Sequence, residues 1–291
     1  MSSSMLPKPI LGTHLIGDTV RDAGFAFIDR PEDVVRLLNA FHARGYIDLD
    51  TARAYGPNTP GASEQRVGAA VKALPELKVH TKIFFSGHGS SAGDHEAGKI
   101  EESIDVSLKD LGMSKVSTMF LHVPDRQTPF HETIAAMDKA YKAEKFEQWG
   151  LCNYTAAEVM EILIICQSKG YVKPAVYQGQ YNAICRGGEE TLFPLLRENN
   201  MAFWAYSPGA MGLFSAVNKT AGRWDPNVSS KNVAPISPCV NIHRPMAARS
   251  ILLSTASLLY KTLQQKSLMR LMPMVSQGTQ LPSVGSCLMG S

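Results

Sequence analysis

The sequence predicts an α/β protein: a (β/α)8 TIM barrel whose last βα unit is atypical or incomplete. Three observations lead there. Strand-like runs alternate strictly with amphipathic helical patterns, which calls for a parallel sheet with crossover helices. The ends of successive runs, taken at residues 50, 82, 122, 152, 178 and 206, lie 26 to 40 residues apart, about one βα step each. The 291 residues suit one barrel, which takes about 250. A doubly wound sheet is the alternative. No Gly-x-Gly-x-x-Gly follows an early strand, which argues against that fold's dinucleotide site.

The elements follow in order. Strand-like runs are expected at Ile10–Thr13, Tyr46–Asp50, Lys78–Phe84, Val116–His122, Gln148–Cys152, Ala175–Gln178 and Met201–Tyr206. Helical periodicity places Val34, Val35, Leu37, Leu38 and Phe41 on one face of Pro31–Arg44. The same reasoning gives helices over Glu64–Leu74, Lys99–Leu111, Phe130–Ala143, Ala156–Gln167 and Glu189–Asn199. Glycine or asparagine marks the exits at Gly45, Gly112, Gly170 and Asn200. Seven strands therefore precede residue 207. Beyond it one helix is expected, Ala247–Lys266, among prolines 235, 238, 245, 273 and 282.

Charge divides the chain at about residue 229. Residues 1–228 hold all 26 acidic residues and 23 of the 29 Lys and Arg, a net charge of −3. Residues 229–291 hold six Lys and Arg and no acid, a net charge of +6. We therefore expect two parts, a barrel of strands one to seven over 1–228 and a divergent basic tail over 229–291. Six dispersed charges among Ser, Leu and Met argue poorly for nucleic acid or membrane binding. No apolar run reaches membrane-spanning length, and the N-terminus lacks a charged-then-apolar leader pattern. Five cysteines with no metal-spaced pair fit free thiols, a reducing cytoplasmic setting and no metal.

Candidate chemistry gathers at the strand ends. Asp50, Tyr55, Lys82 and His122 follow strands two, three and four, and a barrel brings those ends to one mouth. A carbonyl that accepts hydride develops negative charge on oxygen, and a proton donor must meet it. A free phenol, near 10, is a weak acid; a neighbouring ammonium lowers it. A carboxylate fixes the ammonium, and an imidazole can orient the carbonyl. Each residue alone has an ordinary reading: a cap, a loop aromatic, a solvated lysine, a structural histidine. The set on three successive strands is what points to catalysis.

The motifs that carry these residues resemble those of the aldo-keto reductases. They are Asp50-x-Ala52-x-x-Tyr55-Gly56, Thr81-Lys82, Leu121-His122-x-Pro124-Asp125, Gly150-Leu151-Cys152-Asn153-Tyr154, Val176-Tyr177-Gln178-Gly179-Gln180-Tyr181-Asn182 and Ala205-Tyr206-Ser207-Pro208. The third and fifth are most similar to the aflatoxin-aldehyde reductase branch. The likeness covers about residues 8–228. It implies NADP(H)-dependent reduction of a small-molecule aldehyde or ketone, with Tyr55 as general acid and Lys82, Asp50 and His122 assisting. It implies that Asn153 and Gln178 bind the nicotinamide carboxamide and that Tyr206 stacks on the ring. Ser207, Pro208, Gly209, Ala210, Met211, Gly212 and Leu213 would form the loop over the pyrophosphate. A role in secondary metabolism or aldehyde detoxification follows from the same likeness, which also allows a homodimer.

The departures bear on function. Cys152 stands where the family usually has serine, and a thiol is a weak donor. Met211 interrupts the expected loop pattern. No 2′-phosphate ligand is recognisable after residue 228, as after a frame shift, a retained intron or an alternative splice. A barrel without its eighth strand exposes edges on strands one and seven. The alternative function is therefore a catalytically weak or silent barrel that binds a cofactor or partner. Phe84, Phe85 and the 57–62 insert are expected to line the pocket.

Overall fold

A computed structural model describes residues 7–86, 93–210 and 214. Its elements alternate as β1 (Leu11–Gly12), α1 (Pro31–His42), β2 (Asp48–Asp50), α2 (Ala62–Val71), β3 (Lys78–Ile83), α3 (Ala97–Leu111), β4 (Val116–Leu121), α4 (Phe130–Lys142), β5 (Phe146–Cys152), α5 (Ala156–Lys169), β6 (Val176–Gln180), α6 (Leu192–Glu198) and β7 (Ala202–Tyr206). The strands form one sheet in sequence order, and every pair is parallel.

Local chemistry explains these elements. Pro31 opens α1, with Glu32 and Asp33 in its first turn, where the missing N–H costs nothing and the helix dipole favours acids. Thr155 and Glu158 close a reciprocal capping box on α5. The expected exits hold: Gly45, Gly112, Gly170 and Asn200 all have φ between 57° and 81°, the left-handed turn that ends a helix. Boundaries differ by a few residues. The sixth helix begins at Leu192 because Glu189 is engaged with Arg186 and Tyr181. Strand β5 begins at Phe146, which pairs with Val116.

The sheet is curled. In a flat sheet β2 and β6, four strands apart, would be separated by about 19 Å. Instead Gln178 Nε2 on β6 lies 2.8 Å from Asp50 Oδ1 on β2. His80 on β3 and Trp204 on β7 touch edge to face, centroids 4.8 Å apart. This is the (β/α)8 barrel class, with seven strands and six helices among the described residues.

Alternation along the strands sorts the side chains. Leu49, Val79, Met119, Trp149, Leu151 and Tyr177 point outward and form the main core with Val34, Leu38, Val67, Ile100, Ile104, Ile134, Met137, Val159 and Ile162 of the helices. The inward residues form layers. Near the floor, His80 bonds Asp48 Oδ1 through Nε2 at 3.1 Å and Thr118 Oγ1 through Nδ1 at 2.9 Å. Above them sit Phe120 and Trp204, centroids 5.6 Å apart. Gly150 makes room there, since a Cβ on it would stand 2.6 Å from the Phe120 ring and from the Val176 carbonyl oxygen. The top layer holds Asp50, Lys82, Cys152 and Gln178. Among the described residues no helix is long and apolar enough to cross a membrane. The expected tail (229–291), with its helix at 247–266, lies outside the described residues, as do Met211, Gly212 and Leu213.

Candidate active site

Asp50 ends β2, and Lys82 lies near the end of β3. Asp50 pairs with His80 in register, so Lys82 is one inward position further along and its chain reaches back over the carboxylate. Tyr55 comes from the β2–α2 loop, whose shape is fixed from several sides. Arg53 Nη1 donates to Asp110 Oδ2 at the end of α3, 2.7 Å away. Gly61 N donates to Arg53 O at 2.7 Å, and Tyr55 N to Ala52 O at 3.0 Å. Buried Asp22 accepts from Asn58 N at 2.7 Å and from the Thr59 hydroxyl.

The result is a tight cluster. Lys82 Nζ lies 2.8 Å from both Asp50 oxygens and from Thr51 O, and 3.0 Å from the Tyr55 hydroxyl. The Tyr55 hydroxyl donates to Asp50 Oδ2 at 3.0 Å. Lys82 is fully buried, and its charge is balanced by that carboxylate, as a buried cation requires. His122 follows β4, with its ring edge to face against Tyr55 at 6.1 Å and Phe85 at 4.9 Å. The exposed His14 ring approaches Tyr55 from the β1 side at 6.2 Å. The structure thus brings all four predicted catalytic residues together.

Electrostatics refines their roles. By itself, the neighbouring Lys82 ammonium would lower the Tyr55 pKa. Burial, together with the charge and hydrogen bond of Asp50, outweighs that effect and raises the phenol well above its usual value. Tyr55 is therefore a protonated phenol at neutral pH, its proton directed to Asp50. Burial and nearby Lys82 hold His122 well below the ordinary imidazole range, so it is neutral. His122 Nδ1 is buried without a hydrogen-bond partner, and its main-chain oxygen accepts from Asn153 Nδ2 at 3.0 Å.

The expected cofactor residues lie on the adjoining strands. Tyr206 donates its hydroxyl to Asn153 Oδ1 at 2.8 Å. Gln178 is buried beside Asp50 and Cys152. Asn153, Ser207 and Ala210 all have positive φ, 67°, 54° and 49°, a conformation non-glycine residues adopt at a cost and often at functional sites. Ser207 O accepts from Asn182 Nδ2 at 3.1 Å. Pro208 and Gly209 continue this turn, and Ala210 N closes it onto Ser207 O at 2.9 Å. Two primary amides, a phenol ring and a strained turn are a donor set that fits a carboxamide-bearing planar ring with an anionic tail. The His122 ring, with its unpartnered Nδ1, packs beside Tyr55 in the same cluster. Cys152 is buried, its pKa pushed up to about 12 by desolvation, so it stays a neutral thiol. It accepts from Asn153 Nδ2 at 3.1 Å.

Some contributors were not legible as site residues. Thr51 supplies its carbonyl to Lys82. Ser63 ties Thr13 and Thr51 together behind the cluster, and buried Glu64 accepts from Thr81 Oγ1 at 2.6 Å. Asp125 of the Leu121–Asp125 motif is structural: it accepts from the backbone of Gly93, His95, Gln127 and Thr128 and from the Thr128 hydroxyl. Among the described residues no group of His, Cys, Asp and Glu could hold a metal.

A parallel barrel with a Tyr–Lys–Asp–His cluster at the C-terminal ends of its strands defines the class of protein. The aldo/keto reductase family model matches residues 10–268, and the chain belongs to that family. It is 34% identical over 198 residues to an aldo-keto reductase of Pseudocercospora fijiensis, covering 66% of each chain. It is 36% identical over 182 residues to human aflatoxin B1 aldehyde reductase member 2, covering 62% of this chain and 50% of that one. A thermostable aldo-keto reductase solved with the inhibitor epalrestat superposes with a TM-score of 0.60 at 26% identity, over 72% of both chains. The aligned part spans about half to two thirds of these curated relatives. The branch likeness read from the motifs agrees with the human relative.

Proposed function

We propose that the protein is an NADPH-dependent oxidoreductase that reduces an aldehyde or ketone to an alcohol. The observation that carries this reading is the position of Lys82 Nζ, 3.0 Å from the Tyr55 hydroxyl and 2.8 Å from both Asp50 oxygens. NADPH, when bound, supplies the hydride. Tyr55 gives its proton to the carbonyl oxygen after turning it from Asp50 toward the mouth. Lys82 stays beside the oxygen and stabilises the phenolate left behind. Asp50 keeps the ammonium in place. Neutral His122 offers an N–H to the carbonyl oxygen and adds no charge.

Asn153 and Gln178 would hold the carboxamide, Tyr206 the face of the nicotinamide ring, and Ser207 to Leu213 the pyrophosphate. The choice of NADP(H) over NAD rests on the family. A cytoplasmic enzyme of secondary metabolism or aldehyde detoxification, able to form a homodimer and acting without nucleic acid or membrane, is the setting this reading favours.

NADPH fluorescence titration followed by turnover of an aromatic aldehyde tests it. Tyr55→Phe should keep cofactor binding and lose turnover by about 100-fold or more, the scale of general acid catalysis. Absence of NADPH binding by the full chain would overturn the reading, and binding without turnover would favour the silent barrel.

A further inference from the structure

We propose that Gln178 is a positioning residue for the general acid, acting through Asp50, beyond any contact it makes with a cofactor. The proposal rests on the reading of Tyr55 given above. Its basis is the hydrogen bond that crosses the barrel, Gln178 Nε2 to Asp50 Oδ1 at 2.8 Å. Both residues are buried, 6% and 7% exposed, where a charge-assisted bond is at its strongest.

The orientation of the amide follows from chemistry. A carboxylate only accepts, so the amide must present its nitrogen to Asp50. Its oxygen then faces Cys152 Sγ at 3.8 Å, a weak donor.

A donor count gives the bond its role. Lys82 has three protons. Four acceptors lie within 3.0 Å of it: Asp50 Oδ1, Asp50 Oδ2, Thr51 O and the Tyr55 oxygen. Two of them must share a proton, and the Asp50 oxygens, both at 2.8 Å, are placed to do so. Gln178 supplies a further proton to Asp50 Oδ1, which weakens that oxygen's claim on the ammonium and leaves Lys82 protons for Oδ2, Thr51 and Tyr55. The same bond fixes the rotation of the carboxyl group, so that Oδ2 faces the Tyr55 hydroxyl. Without Gln178 the ammonium is held more strongly by Oδ1, and the phenol oxygen loses part of the donor that stabilises its anion.

Two variants test this at saturating NADPH and aldehyde. Gln178→Met keeps the shape and removes the donor; kcat should fall about tenfold. Gln178→Glu sets a second carboxyl against Asp50, and two carboxyls at that distance share a proton. Its kcat should then acquire an ionisation in the neutral range and fall about tenfold per pH unit above it. If both variants bind NADPH more weakly yet keep the wild-type kcat and pH profile, Gln178 serves the cofactor alone and the proposal fails.

Melting of the cofactor-free protein separates this from failure of the proposed activity. Relative to wild type, Gln178→Glu should lose about 3 °C or more of Tm between pH 5 and pH 8. That loss should vanish when Asp50→Asn is added. A pH-independent deficit, or one that persists with Asp50→Asn, would overturn the coupling even if no substrate were ever turned over. Should Gln178→Glu not fold, the kcat and pH profile of Gln178→Met decide.

Discussion

Gly150 shows how one residue sets the barrel interior. It faces inward on β5, and the Phe120 ring and the Val176 carbonyl occupy the space a methyl would need. Gly150→Ala should destabilise the protein by about 1–3 kcal/mol, the usual cost of overpacking, seen as a lower urea midpoint at unchanged m. At this scale the sequence was readable where chemistry is written in a motif. Asp50, Tyr55, Lys82 and His122 lie within three short segments, and their residue types already implied proton transfer. The direction of the Tyr55 pKa was not readable, because it depends on how deeply the phenol is enclosed and on which Asp50 oxygen faces it. Nor was the Gln178–Asp50 bond, which joins residues 128 positions apart in the chain. Asn153, Ser207 and Ala210 were placed by resemblance, but their left-handed backbone is a property of the folded turns.

At the scale of elements, the site depends on loops pinned from behind. Arg53 joins the Tyr55 loop to Asp110 at 2.7 Å and stands 3.7 Å from buried Glu64. Arg53→Ala leaves two carboxylates facing one another without a cation. It should cost about 2 kcal/mol, less than a fully buried pair because Arg53 and Asp110 are partly exposed. Limited proteolysis between residues 53 and 61 should accelerate in parallel; unchanged cleavage would show that Asp22 and the loop's own backbone bonds hold it without Arg53. Thr155→Ala removes the capping box of α5 and should lower stability by about 1 kcal/mol in the same urea assay. Strand and helix order was legible because period-2 and period-3.6 patterns alternate cleanly. The ends were less so. The Glu189 carboxylate bonds Arg186 and Tyr181 rather than opening a helix, and no periodicity reports such a local pairing.

At the scale of the molecule, two features govern stability. Trp204 bridges His80 of β3 and Phe120 of β4 from β7, across the interior. Trp204→Ala should lower global stability by about 3 kcal/mol, with fluorescence and circular dichroism midpoints moving together. The second feature is His95, fully buried two residues before α3, its pKa lowered to about 4 by desolvation. The unfolded chain binds this proton near 6.5, the folded one only near 4. Stability is therefore complete above pH 6.5 and falls as pH drops toward 4, by up to about 3 kcal/mol. His95→Gln should flatten that part of the pH–stability curve; a wild-type slope in the variant would assign the acid sensitivity elsewhere.

The strand order carries a consequence in time. Each strand from β2 to β7 pairs with the one made just before it, so no strand waits for a distant partner before it can be hydrogen-bonded. During synthesis the sheet can grow by one strand per βα unit, each new edge covered by the next unit to leave the ribosome. The Asp50–Lys82 pair can form once the third strand has emerged. Gln178, the crossbar, arrives only with the sixth. The candidate active site is thus assembled in two instalments, and a nascent chain halted between them would hold the Asp50–Lys82 pair without the Gln178 bond that crosses to it.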